Sequence, residues 1–366
     1  MKTIRIIEIF LELAGISGVS SFEKPVADYI KKFITNLGLI IDEDSAAEFT
    51  KSNTNNLICK IGTGGKFVLV AHMDTARPTD NLNPIIMADK IVSSGDTVLG
   101  VDNRAGIAVL LFTLEHILKE NIQVKDFTIA FTTCEETTLF GSKHLGINGN
   151  INHAFVFDSG YRPGNFIYSA CGALGFKIKI IGKASHSGIS PEKGINALSV
   201  AASAISKFSW GRLDEETTMN IGLFKSGSAV NVIPESAELE GEIRSFNIQK
   251  VENQFEKVIE IFKSEAEKLN AKIEYEYFWD FKPYTVSQDS EVYMKTVNAI
   301  NKVGLEAIPK ISLGGSDANS LNARGITSVN LGIGAQNPHS NEEFIFIEDL
   351  IKSSEIALEL IKNKIL

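Results

Sequence analysis

The stretch "FTTCEETTLFGSKHL", beginning at Phe131, sets Glu135 and Glu136 side by side where an apolar run ends. Adjacent carboxylates repel each other. Such a pair is either a solvated turn, the ordinary setting for Glu, or part of a metal site in which one carboxylate binds a cation and its neighbour moves a proton. The pair alone does not separate these readings, but its company does. His72 and then Asp74 follow the run "KFVLVA", Asp158 follows "HAFVF", and His339 follows "SVNLGIGAQNP". Asp102 opens the helical segment "DNRAGIAVLLFTLEHILKE", where a helix dipole favours an ionised carboxylate. Imidazole with carboxylate suits zinc, manganese or cobalt better than calcium or magnesium. Two histidines and three or four carboxylates are too many for one tetrahedral ion. They suit two ions that share a bridging carboxylate at a separation of roughly 3.5 to 4 Å. A carboxylate left off the metals would be the base that deprotonates a bridging water, which gives two neighbouring glutamates different work.

The elements that must position these residues are legible as patterns. From about Asn56 to Gly160, continuous Val/Ile/Leu/Phe runs ("NLICKIG", "KFVLVAH", "DFTIAFTT", "HAFVFDS") alternate with helical periods. This is the pattern of an α/β core, a mostly parallel sheet flanked by helices. In such sheets ligands collect beyond the carboxyl ends of the strands, and four separate strand ends here each deliver His, Asp or Glu. From about Ala173 the pattern changes. "GFKIKIIG", "GINALSVAASAISKF", "TTMNIGLF", "AELEGEIRSF", "IQKVENQFEKVIEIFKSEAEKLN" and "AKIEYEYF" read β-α-β-β-α-β, the order of a ferredoxin-like α+β domain. After "KPYTVS" the helices and a buried run return, so a small domain at 174–282 is expected to interrupt a larger one formed by 1–173 and 283–366.

Composition narrows the partners. The chain of 366 residues carries a formal charge of -9 and no Lys/Arg-rich block, which argues against a nucleic-acid surface. No apolar stretch approaches bilayer-spanning length, and the N-terminal "MKTIRIIEIFLELAG" reads as an amphipathic helix, not a signal peptide. Three widely spaced cysteines, Cys59, Cys134 and Cys171, fit a reducing cytoplasm without a disulfide framework. Cys134, beside the Glu pair, reads as a buried small residue at a strand end.

In order and spacing, "AHMDTA", "GVDNRAG", "TTCEETTLFGSKHL", "VFDSG", "KASHSG", "GGSDAN" and "NPHSNEE" resemble the di-zinc exopeptidase family of peptidase T, carboxypeptidase G and acetylornithine deacetylase. "GRLDEETTMNIGLFKSGSAVNVI" looks more particularly like the peptidase T-like branch. The resemblance implies that His72, Asp102 and Asp158 hold one metal and Asp102, Glu136 and His339 the other. The metals would be zinc, with cobalt or manganese as alternatives. It makes Glu135 the general base and has Asp74 orient the His72 imidazole. The inserted domain becomes a lid and dimerisation surface on which His186 polarises the scissile carbonyl. Asn231 and Arg244 would bind substrate backbone or carboxylate, and Gly314 and Gly315 would admit the ligand closely. A cis peptide after Asp102 is also implied. Asn103 departs from the Asp that many members carry there. His116, His144 and His153 match no motif. His186 could still be an exposed loop residue, and Arg244 could serve an ion pair with a neighbouring Glu.

The reaction implied is hydrolysis of short peptides. Asp in place of Glu at position 158 favours, within the family, a tripeptide-type aminopeptidase in the cytoplasm. An N-acyl amino acid deacylase or carboxypeptidase is the alternative, and a non-catalytic peptide- or metal-binding protein is the reading of another class.

Overall fold

In the computed structural model, which describes residues 2–137, 139–147 and 149–363, the buried runs form one twisted sheet. Phe127–Thr132, Phe67–His72, His153–Ser159 and Thr327–Gly332 lie side by side and parallel. Every residue of Phe67–His72 and Phe127–Thr132 is buried. Helices covering both faces remove any wet side, and for that reason these strands read as unbroken apolar runs. The parallel order stops at the flanks. Leu57–Ile61 pairs antiparallel with Phe127–Thr132, and Asn165–Ala170 pairs antiparallel with Thr327–Gly332.

The helix Val101–Lys119 is buried along most of its length against Lys2–Ala14, Ile347–Ile361 and the strand Phe67–His72. Its first turn is irregular. Asp102 and Asn103 have non-helical backbone angles, and the peptide between them is cis. Asn103 is the residue that starts the regular helix: its Oδ1 accepts the Gly106 N–H at 3.0 Å, as an N-cap does. Its Nδ2 donates to the Phe157 carbonyl at 2.8 Å, which a carboxylate could not do. Asp102 thus stands at the N-terminal end of this helix as expected, but on backbone that is not itself helical. A short three-stranded sheet, Pro84–Ile86, Lys90–Ser93 and Phe344–Phe346, went unmarked in the sequence pattern.

The chain divides into two compact units. The first comprises 1–169, 284–312 and 316–366, and the second comprises 170–283 with 313–315. In the second unit an antiparallel sheet runs in the order Gly211–Arg212, Thr218–Ser226, Ser236–Ser245, Gly172–Ile181, Lys272–Phe281. Leu174, Phe176, Ile178 and Ile180 alternate along one strand into a core shared with the helices Ala197–Ile205 and Ile248–Lys268. The opposite face is wet. Lys177 pairs there with Glu240 and Lys179 with Glu238 across neighbouring strands.

Candidate metal centre

His72 closes its strand with its side chain 1% exposed. Nδ1 lies 3.0 Å from the Asp74 carbonyl, and because a carbonyl only accepts, Nδ1 carries the hydrogen. Nε2 then faces two carboxylate oxygens, Asp102 Oδ1 at 3.0 Å and Asp158 Oδ1 at 3.2 Å. On the other side of the same aspartate, Asp102 Oδ2 lies 3.3 Å from His339 Nε2, which is 3.1 Å from Glu136 Oε1. The residues divide into two donor groups, His72 with Asp102 and Asp158, and Asp102 with Glu136 and His339. Asp102 is shared, one oxygen to each. Ligand bonds of about 2.0–2.1 Å put donors on a tetrahedral ion roughly 3.3–3.4 Å apart, close to the separations seen here.

Two further features test the fit. A single nitrogen cannot donate its hydrogen well to two carboxylates, yet His72 and His339 each bring Nε2 within 3.3 Å of two. Glu136 Oε1 is buried without a hydrogen-bond partner despite its closeness to His339, so its lone pair is unused. Both features are those of ligands converging on a cation, and the donor set fits two divalent ions.

Glu135 belongs to neither group. It is 9% exposed, with Oε2 3.9 Å from His72 Nε2. Burial, with Asp158, Asp317 and Glu136 close by, pushes its carboxyl well above the ordinary range, and His72 opposes the shift. Burial also raises Asp158 and Glu136. His72 is raised despite its burial, chiefly by Glu135 and by hydrogen bonds to Asp102 and Asp158. His339, which has left-handed backbone, is lifted to about 10 by Asp102 and Glu136.

Asp74 does more than the resemblance implied. Its carbonyl, not its carboxylate, takes the His72 Nδ1 hydrogen at 3.0 Å; the nearer carboxylate oxygen stands at 3.4 Å. The carboxylate instead accepts the Glu135 N–H on Oδ1 at 3.0 Å and the Glu136 N–H on Oδ2 at 3.1 Å, with the Ser20 hydroxyl donating at 2.6 Å. Burial works against its charge, but these donors and His72 hold its pKa below the usual range.

Several residues around the centre were missed. Glu343 accepts the N–H of Gly100 at 2.6 Å and of Asp102 at 3.1 Å, and burial lifts its carboxyl to about 7. Asn330 donates to Asp158 Oδ2 at 3.2 Å. A polar residue inside the buried run "SVNLGIG" was the available signal. Asp317, in "GGSDAN", is lifted to about 6 by burial and takes the Thr132 hydroxyl at 2.5 Å. Arg104 is wholly buried and donates to the carbonyls of Met73, Ile16 and Gly18.

The remaining expected site residues lie in the second unit. His186 is exposed, and its Nδ1 accepts the N–H groups of Gly188 and Ile189 at 3.2 and 3.3 Å, so Nε2 carries the hydrogen. Asn231 is its neighbour: its carbonyl takes the Ser187 N–H at 3.0 Å, and His186 bridges to Val232. Arg244 forms a two-pronged pair with Glu242 at 3.0 and 2.9 Å and donates to the Leu313 carbonyl at 3.1 Å. Leu313, Gly314 and Gly315 accompany this unit. A Cβ on Gly315 would meet the Phe281 ring at 2.6 Å, a local reason for glycine there. The unmatched histidines have structural partners: His153 pairs with Glu291, His144 stacks on Phe49, and His116 lies along Phe112.

Residues 168–270 match the family described as peptidase dimerisation domain, and residues 82–170 match M42 glutamyl aminopeptidase. The uncharacterised protein YqjE of Bacillus subtilis is 32% identical over 98% of both chains. Peptidase T of Clostridium perfringens is 27% identical over 90% of this chain and 82% of its own. A crystal structure of a tripeptidase from Staphylococcus aureus superposes with a TM-score of 0.92 at 32% identity, covering 98% of each chain. That of the aminopeptidase PepT from Bacillus cereus superposes with a TM-score of 0.88 at 30% identity, again over 98% of each. The chain belongs to the M20 peptidase family, in its peptidase T-like branch, and is a metallo-exopeptidase.

Proposed function

We propose that this chain is a tripeptide-type aminopeptidase that works with two zinc ions, cobalt and manganese being the alternatives. His72, Asp102 and Asp158 would hold one ion, and Asp102, Glu136 and His339 the other. When bound, the ions supply Lewis acidity, which acidifies water and polarises a carbonyl. The observation that carries the proposal is Glu135, a buried carboxylate next to a member of the donor groups yet outside both. Its raised pKa suits a group that takes a proton from the attacking water and returns it to the departing amine. Asp74 holds the backbone of both glutamates, so that each keeps its own direction. In the second unit, the His186 Nε2–H is a donor of the kind that stabilises charge on a carbonyl oxygen. Asn231 and Arg244 supply amide and guanidinium groups for substrate backbone or carboxylate.

The likeness to structures described as a tripeptidase and an aminopeptidase supports the choice of substrate end and length. The match at 168–270 supports a homodimer formed through this region. A cytoplasmic setting agrees with three buried cysteines that form no disulfide, and among the described residues no helix is long and apolar enough to cross a membrane.

The metal-loaded protein assayed against di-, tri- and tetrapeptides with free and acylated amines tests the proposal. Release of the N-terminal residue from free-amine tripeptides is expected. Cleavage confined to N-acylated substrates or to C-terminal residues would replace it with a deacylase or carboxypeptidase.

A further inference from the structure

Three consecutive amides, at Cys134, Glu135 and Glu136, each end on a buried carboxylate. Asp74 takes the second and third. The first goes to Glu23, whose Oε1 accepts the Cys134 N–H at 2.9 Å and the Cys134 thiol at 3.3 Å. Glu23 stands at the N-cap of the helix Lys24–Asn36, but its side chain makes no cap bond. It turns inward and is wholly buried, taking the Ser21 N–H at 3.0 Å on Oε1 and the Ser52 hydroxyl at 2.5 Å on Oε2. A carboxylate placed so deep, with donors to both oxygens, is built into the site and not left over from the surface.

Its effect falls on a backbone turn. Cys134 has φ 51°, the left-handed region that a side chain enters only when its surroundings impose it. From this turn the two glutamates diverge: Glu135 Oε2 lies 3.9 Å from His72 Nε2, while Glu136 Oε1 lies 3.1 Å from His339 Nε2. In an undistorted strand, neighbouring side chains would point to opposite faces, and only one could reach the centre.

We infer that Glu23 is a positioning residue for Glu135: by holding the Cys134 amide it fixes the left-handed turn that lets two adjacent carboxylates enter one site in different roles. It touches no reacting atom, and Asp74 completes the clamp from the other side. The inference rests on the proposed role of Glu135 for its kinetic consequence, but its structural content stands apart from catalysis.

Four variants test it. Glu23→Leu removes the acceptor while filling the space, Glu23→Asp withdraws it by one methylene, and Glu23→Gln keeps an acceptor oxygen at the same reach. Ile356→Val, in the buried core of the helix Ile347–Ile361, is the control for lost stability. Glu23→Leu, or Glu23→Asp should the former not fold, should lower kcat by about 10- to 100-fold, with KM little changed and both metals retained. Exchange of the Cys134 and Glu135 amide hydrogens should quicken by at least about tenfold. Glu23→Gln should recover most of both, and Ile356→Val should move neither. Unchanged exchange at these amides, or a kcat loss shared by the control, would overturn the inference. A protein that cleaves no peptide would overturn the proposed function instead, and the exchange result would still decide the role of Glu23.

Discussion

Glu343 holds Asp102 by its main chain. One Glu343 oxygen takes the Asp102 N–H at 3.1 Å and the other the Gly100 N–H at 2.6 Å, while both Asp102 oxygens remain turned to the imidazoles of His72 and His339. Because Glu343 follows His339 by four residues, one short segment both supplies a donor and fixes the shared one. Glu343→Ala should therefore weaken metal binding by about 10- to 100-fold, the usual cost of losing an outer partner, and Glu343→Gln by less. Chelator competition measures this. Affinity unchanged in Glu343→Ala would mean that the turn holds itself.

Glu135 and Glu136 should fail differently. Glu135→Gln keeps size and hydrogen-bonding capacity but cannot take up the proton. It should bind two metals and lose on the order of 10² to 10⁴ in kcat. Glu136→Gln replaces an anionic donor with a neutral amide and should lose the second metal. Equal metal loss in both, or near-normal turnover in Glu135→Gln, would show the work of the pair to be divided wrongly. Metal analysis beside kinetics gives the answer.

The residues of the rim were legible because a parallel sheet puts its strand ends on one side, and His72, Asp158 and the pair Glu135 and Glu136 each follow an apolar run that is visible in one dimension. The residues that hold them were not. Glu23, Glu343 and Asn330 act through backbone or side-chain partners far away in sequence, and a buried Glu has the same letter as a solvated one. The resemblance singled out Asp74 as the partner of His72, but it could not show that the Asp74 carboxylate serves Glu135 and Glu136. Asn103 looked like a departure from the pattern until its two bonds, as a helix cap and as a donor to Phe157, showed work that Asp would do only by half. The antiparallel flanks of the sheet were hidden for another reason: Leu57–Ile61 begins with a buried apolar run like those of its parallel neighbours, and strand direction leaves no mark on composition.

His186 offers a separate prediction. Its Nδ1 is occupied by the amides of Gly188 and Ile189, leaving Nε2–H as the outward donor on an exposed loop. His186→Ala should lower kcat by about 10² to 10³, as loss of a single donor to a developing oxyanion does. Metal content and Tm should stay as in the parent protein, since the side chain buries little. A kcat equal to the parent's would leave His186 as a surface residue of its loop.

Metal removal couples to protons in a direction that can be worked out. Without cations, His339 is lifted to about 10 by Asp102 and Glu136, and His72 is also raised. A histidine raised in the folded state stabilises it fully below the unfolded value of about 6.5, and that contribution is lost as pH climbs through the folded value. Metal-free protein should therefore stay folded at neutral pH, with its ligands held by separate strand ends, and lose this contribution toward pH 10. A cation must displace the proton that His339 holds, so metal affinity should rise with pH toward 10, and loading the metal at about pH 8 should release protons. Titration calorimetry in buffers of different ionisation heat counts them. Chelation should abolish activity without unfolding, and zinc, cobalt or manganese should restore it. Full turnover by exhaustively metal-free protein, or metal uptake without proton release, would remove His72 and His339 from the ligand set.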